Sequence, residues 1–336
     1  MHTMTLGIDV AKNVFQLHGV DARGRAVLSR RVKRQQVLDT VANLPPCVIG
    51  MEACGSAQHW GRAFEQLGHT VKLMHPKYVR PSVKTNKHDG RDAEAICEAV
   101  GRPTMRFVSI KTVEQADMQA LHRTRSLFMK HRTAVINQIR GLLAEYGLVI
   151  AQSPEKVRSA LVRFLDDAVS GLTVFARETF AEWYAQLTER DARIERVTHR
   201  MEAVYRAHPI CQKLGAVPGI GPMTATARVA TVGRPQAVHN GRHLAAWLGL
   251  VPRQYSSGGK ERFGGISKRG SRSVRTLLIH GARAVVQRAE RRTDTQGHKA
   301  FPPCRRAGDH LVAFAVIPQH TLAGDDVGDP IREAGH

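Results

Sequence analysis

Nowhere in its 336 residues does the chain hold an apolar run near the roughly 20 residues that a membrane-crossing helix requires. Its opening, MHTMTLGIDV, lacks the charged, apolar and small-residue stages of a secretory leader. Both absences speak against a membrane location. Cysteine is scarce as well: Cys47, Cys54, Cys97, Cys211 and Cys304 are odd in number, scattered, and never spaced as CxxC. A disulfide framework and a cysteine zinc site are therefore not indicated, which fits a reducing cytoplasm. Acid is the other shortage. Asp and Glu total 29 against 50 Lys and Arg, a formal charge of +21. A field of that sign favours a polyanionic partner, and without membrane features that partner is nucleic acid. Hydrophobic residues make up 42%, so the chain is globular, and its length allows two or three domains.

From residue 4 to about 110, short apolar runs alternate with helical stretches. TLGIDV, VFQLHGVD and AVLSRRV read as successive strands, the last two separated by the turn residues Ala22-Arg23-Gly24. A short amphipathic helix from Gln35 to Leu44 stops at Pro45-Pro46. CVIGME reads as a buried strand, Ala57 to Leu67 as a helix ended by Gly68, and TVKLMHP as another strand. A three-strand meander followed by α and β in alternation predicts an α/β domain, a mixed sheet flanked by helices, over residues 1–112.

The span 113–210 reads as helical. Within it Phe180, Trp183, Leu187, Ile194, Val197, Met201 and Val204 fall at steps of three and four, broken where Arg190 takes an apolar place. That heptad seam fits a coiled-coil arm, with an amphipathic helix packed on its own domain as the plain alternative. Residues 211–297 form a third, mainly α region, and 298–336 an atypical tail. The tail from residue 301 has four prolines, five acidic residues and no lysine, with no helical period.

Four carboxylates carry the first chemical signal. Asp9 follows Leu6 and Ile8 in an apolar strand, and Glu52 ends the apolar run CVIGME in the same way. A charge in such a place is costly unless it is paired or binds a metal. Asp89 and Asp92, in KHDGRDAEAI, lie three apart at a helix start, where they share a face and the helix dipole favours negative charge. Each acid alone has an ordinary structural explanation. Four together in a basic chain fit a Mg²⁺ site, since Mg²⁺ prefers oxygen ligands and assists phosphoryl transfer.

Two further segments point to phosphate. VPGIGPMTATARVA resembles a helix-hairpin-helix, in which Gly219 and Gly221 free backbone N–H groups to meet a phosphate at a helix start. A tight interhelical turn is the plain alternative. PRQYSSGGK then sets small residues among cations. Arg253, Lys260, Arg262, Lys268, Arg269, Arg272 and Arg275 are candidates for binding phosphates, and Ser256, Ser257 and Tyr255 are rival nucleophiles. On composition alone the segment equally reads as a basic loop that only holds phosphates.

Six motifs in order, GIDVAK, GMEACG, NKHDGRDA, PGIG, LAAWLGLVPRQYSSGGK and GISKRG, resemble the DEDD-type transposases named for insertion sequence 110, closest to the 1111 subgroup. The likeness covers roughly residues 4–290. It implies a ribonuclease-H-like domain, a coiled-coil arm and a C-terminal transposase domain. Carried over residue by residue, the family's acidic tetrad falls on Asp9, Glu52, Asp89 and Asp92, and its nucleophile on Ser257, with Ser256 in the preceding, non-catalytic place. The resemblance further implies excision and insertion of double-stranded DNA, a non-coding guide RNA, a dimer or tetramer, and a bacterial protein of the nucleoid. The likeness fades after about Gly297, which implies a frame-shifted or decayed ending. Two other readings stay open at this point: a metal-dependent junction nuclease, and an inactive nucleic-acid-binding remnant.

Overall fold

A computed structural model describes residues 4–82, 89–232, 238 and 240–289. The expected tail from 298 and its frame-shift lie outside those residues. The chain divides into two compact units, Met1–Glu114 with Val232–Ala237, and Gln115–Thr231 with Val238–His336.

The first unit opens with the meander β1 (Thr5–Asp9), β2 (Val14–Val20) and β3 (Ala26–Lys33). There follow α1 (Val37–Ala42), β4 (Val48–Glu52), α2 (Ala57–Gln66), β5 (Thr70–Met74), α3 (Pro76–Val79), α4 (Asp89–Val100) and β6 (Phe107–Val108). The strands form one mixed sheet in the order β3-β2-β1-β4-β5-β6. Pairing is antiparallel on the meander side and parallel from β1 to β4 and from β4 to β5. This is a mixed sheet with helices, consistent with the ribonuclease-H-like domain expected.

Strand alternation sorts the sheet into two faces. Leu6 and Ile8 of β1 and Ile49 and Met51 of β4 are fully buried, in one cluster with Val37 and Val41 of α1 and Trp60 and Phe64 of α2. Gly7 and Gly50 lie on the opposite face and are register partners. That face receives α4, whose Ile96 and Val100 pack with Met74 and Val79.

The second unit is helical apart from one hairpin. It contains most of α5 (Val113–Ala144), then α6 (Pro154–Asp166), α7 (Val174–Ala207), α8 (Pro209–Gly215), α9 (Pro222–Val232) and α10 (Gly241–Leu248). The strands β7 (Pro252–Gln254) and β8 (Phe263–Ile266) precede α11 (Arg272–Ala289). Thr173 caps α7 by accepting from the Ala176 N–H at 3.1 Å. Arg125 of α5 donates to Thr198 Oγ1 of α7 at 2.9 Å, and Arg132 pairs with Asp191 at 3.1 Å. One heptad forward on α5 thus meets one heptad back on α7, so the two long helices run antiparallel. Phe180 and Leu187 of the seam are buried with Val135, Ile139 and Leu143 of α5 and with Val157 and Leu161 of α6. In this chain, then, that end of the apolar stripe packs on its own helices.

Candidate active site

Asp9 and Glu52 are the last residues of neighbouring parallel strands, one step beyond the Ile8–Met51 pair. By alternation both stand on the face of Gly7 and Gly50, the face that α4 covers. The two glycines are what let that helix come so close. A Cβ built on Gly7 would lie 2.2 Å from the Ala93 carbonyl oxygen and 2.6 Å from the Cys97 nitrogen. One on Gly50 would lie 2.9 Å from the Val100 Cβ. Cys97 Sγ also reaches the Thr5 carbonyl at 3.6 Å. Asp92 is carried on the first turn of this helix.

The three acids are close enough to feel one another. Burial pushes the Glu52 carboxyl above the usual carboxylate range, and the negative charges of Asp9 and Asp92 push it further, while Arg80 pulls the other way. Asp89 begins α4, but its side chain lies outside the described residues. Among the described residues, no group of three or more His, Cys, Asp or Glu is arranged to hold a metal ion. The donor set present is nonetheless all carboxylate, partly desolvated and of one sign, a chemistry suited to a hard divalent cation.

Gly7 and Gly50 escape a motif-based reading that looks only for chemistry-bearing side chains. Their signal was available: a glycine inside a strand marks a place where another backbone approaches.

Ser257 belongs to the second unit, where β7 and β8 pair antiparallel. The ladder runs on past the strands, with the Tyr255 N–H donating to the Arg262 carbonyl at 2.8 Å and Ser257 bridging Lys260. Gly258 (φ +57°) and Gly259 (φ +75°) form the two-residue turn, both left-handed as a type I′ hairpin requires. Ser257 is therefore the last residue before the tip. The glycines serve the turn first, and a Cβ on either would meet nothing within 4 Å.

Cross-strand partners share a face, so Ser257 and Tyr255 stand with Lys260 and Arg262. Ser256 stands on the other side with Gln254, whose Nε2 donates to Ser256 Oγ at 3.0 Å. Glu261, opposite Ser256, is on that far side too. Arg253, Lys260, Arg262, Lys268, Arg269 and Arg272 are all exposed.

Arg275 corrects the expectation of a phosphate-binding cation. It is 7% exposed, and its guanidinium donates to the Leu248 carbonyl at 2.9 Å and the Arg269 carbonyl at 2.8 Å. It ties the end of α10 to the segment after β8, which a tight packing of backbones also joins. A Cβ on Gly270 would lie 2.0 Å from the Trp247 carbonyl oxygen.

In the PGIG turn, Gly219 has φ +82° and its carbonyl lies against Gly281 of α11, where a Cβ would come within 2.0 Å. Close packing accounts for Gly219. Gly221 is exposed, and its carbonyl accepts from the Thr224 and Ala225 N–H groups at 3.0 Å as α9 begins.

Known proteins settle what kind of enzyme joins such a sheet to such a hairpin. A profile described as "Transposase" matches residues 6–148, and one described as "Transposase IS116/IS110/IS902 family" matches residues 211–298. The class is DNA transposase. A probable family 20 transposase of Pseudomonas aeruginosa is 45% identical over 317 residues, 94% of each chain. The transposase for insertion sequence element IS1111A of Coxiella burnetii is 47% identical over 289 residues, 86% of this chain and 79% of that protein. The transposase for insertion sequence element IS1328 of Yersinia enterocolitica is 37% identical over 93% of this chain and 92% of its own. The chain belongs to the IS110 family of insertion-sequence transposases. The 6% left out of the Pseudomonas alignment is shorter than the 298–336 segment, so the likeness runs past Gly297, where the motifs alone ended it. No helix among the described residues is long and apolar enough to cross a membrane.

Proposed function

We propose that this transposase excises and inserts an insertion sequence by cutting and exchanging double-stranded DNA, with Ser257 as nucleophile and the acid cluster as the activating site. The observation that carries the reading is the gathering of Asp9, Glu52 and Asp92 over the Gly7–Gly50 pair. Four carboxylates, with Asp89 as the fourth, would hold a divalent cation such as Mg²⁺. When bound, that ion would neutralise charge building on the attacked phosphate.

The chain's own groups account for the rest. Ser257 Oγ attacks phosphorus, forming an Oγ–P bond as the bond to the leaving sugar oxygen breaks. The serine proton passes to a carboxylate of the acid cluster. That proton then goes to the departing sugar oxygen. Lys260 and Arg262, on the serine's face, stabilise the extra negative charge of the transition state. Attack on the Oγ–P linkage by another strand's sugar hydroxyl releases the serine and completes the exchange. In this reading the acids of one copy serve the serine of another within a dimer or tetramer, the α5–α7 pair acts as the arm, and a non-coding RNA selects the sites.

A substrate nicked opposite the cleavage point traps the intermediate, and mass spectrometry maps the attached residue. Wild type and Ser256→Ala should carry DNA on residue 257, while Ser257→Ala carries none. An adduct on Tyr255, or cleavage that survives Ser257→Ala, would overturn the serine mechanism in favour of simple hydrolysis.

A further inference from the structure

Beside the acids, at the same end of the sheet, a cleft of about 580 Å³ opens between the turn after β1 and the start of α2. Val10, Lys12, Asn13, Arg34, Cys54 and Ser56 are among its lining residues. The chain itself places it next to the acid cluster: Val10 follows Asp9, and Cys54 lies two residues beyond Glu52. Cys54 Sγ reaches the Val10 carbonyl at 4.0 Å across the cleft's lining. The charges of Glu52 and Asp9 also add to the desolvation that raises the Cys54 thiol.

The cleft's charge is opposite to that of the acids. Arg34 is held in place from several sides. Its guanidinium carbon lies 5.1 Å from the Trp60 ring centre and 5.9 Å from that of Phe15. Its Nη1 donates to the Lys12 carbonyl at 3.4 Å, and its backbone N–H to the Asn13 carbonyl at 2.9 Å. Neither Arg34 nor Lys12 forms an ion pair with any carboxylate among the described residues, although acids lie close by in the chain. A cation propped on aromatic rings loses little rotamer freedom when it meets an anion. Asn13 and Ser56 add hydrogen-bond donors. Such a lining recognises a tetrahedral oxyanion, and a basic DNA-acting chain offers one in every nucleotide.

We propose that this cleft binds a backbone phosphate of the DNA strand held at the acid cluster, a nucleotide or a few from the scissile one, with Arg34 and Lys12 as its positioning residues. The inference rests on the acid cluster as the cleavage site. Holding a neighbouring phosphate fixes where along the strand cleavage falls, which carboxylates alone, repelling phosphate, cannot do.

Methylphosphonates placed one at a time along the strand remove single phosphate charges and test this in the full-length protein. In wild type, one position near the scissile phosphate should raise KM about tenfold. Arg34→Gln should raise KM by a similar factor on unmodified DNA, with kcat changed less than about twofold, and should be indifferent to the methylphosphonate at that position. Arg34→Lys should recover part of the loss. The slope of log affinity against log salt should fall by about one. Lys12→Ala, at an exposed site, repeats the test without disturbing the aromatic packing. An unchanged interference pattern in both Arg34→Gln and Lys12→Ala would overturn the proposal. The same scan read by DNA binding in Asp9→Asn separates the two ideas: if that variant still cleaves, the acid-site reading fails while the phosphate contact is judged on its own pattern.

Discussion

The acids and the serine hairpin are held by opposite means. Asp9 and Glu52 end strands whose Leu6, Ile8, Ile49 and Met51 are fully buried, so a whole core fixes their position. Every residue from Pro252 to Gly265 is exposed. Like charges brought together and partly desolvated oppose folding, so their site has to be imposed by packing elsewhere. A serine hydroxyl carries no such cost, and backbone rules at a tight turn are enough to place it. Damage to the packing beneath the acids should therefore register as lost fold, whereas changing an acid or the serine itself should register as lost chemistry in an intact fold.

The largest contrast is in catalysis. Asp9→Asn, Asp92→Asn and Ser257→Ala should each lower strand cleavage on the order of 10³-fold or more, while DNA binding stays near wild type. Full activity in the two Asp variants would break the idea of a shared acid site.

Next in size is a pair of glycines. Gly7→Ala drives a methyl into the backbone of α4, so it should destabilise the protein by roughly 2–4 kcal/mol and abolish cleavage together. Gly259→Ala meets no atom and only strains a left-handed turn, about 1–2 kcal/mol of local cost, leaving the melting temperature nearly unchanged. Equal melting temperatures for the two variants would erase the contrast.

His122 provides a pH test of the second unit. Burial, with help from the Arg125 charge, lowers its pKa to about 4, and its Nε2 lies 3.0 Å from Thr226 Oγ1. The folded state resists a proton that the unfolded chain takes up near pH 6.5. Stability should thus be level above that pH and fall as pH drops toward 4, by at most about 1.4 kcal/mol per unit. Urea melts of His122→Gln should show a flatter slope over that window.

Glu52 gives the smallest effect, with the opposite sign. Its carboxyl is raised by burial and then by Asp9 and Asp92, so its charged form opposes folding as pH climbs past the unfolded value. Glu52→Gln should melt slightly higher than wild type at pH 7 even as cleavage is lost. A lower melting temperature would mean that the carboxylate is stabilised where it stands.

Much of the first unit could be read from alternation in the sequence, because a half-buried strand repeats its apolar residues every second position. The same parity put Asp9 and Glu52 on one face. What pattern alone could not supply was the identity of partners. The stripe Phe180–Leu187–Ile194–Met201 declares a helical seam but not whether a second chain or α5 fills it. Arg275 sat in a run of cations and looked like the others. Its spacing from Leu278 and Ala282, both buried, was the available sign that it shares their inward stripe of α11. Type I′ geometry at Gly258-Gly259 is legible too, since two adjacent glycines between short segments suit a two-residue hairpin turn.

The hairpin also separates two hydroxyls of identical chemistry. Ser256 and Ser257 differ only in the parity of their distance from the turn, and the ladder Gln254–Phe263, Tyr255–Arg262 and Ser257–Lys260 fixes that parity. Loop length thus works as an address. One residue added or removed between Gln254 and the serines would exchange the sides on which the two stand, with the composition of the segment scarcely altered. Among related chains, the count of residues between serine and turn should therefore be held more tightly than the number of serines.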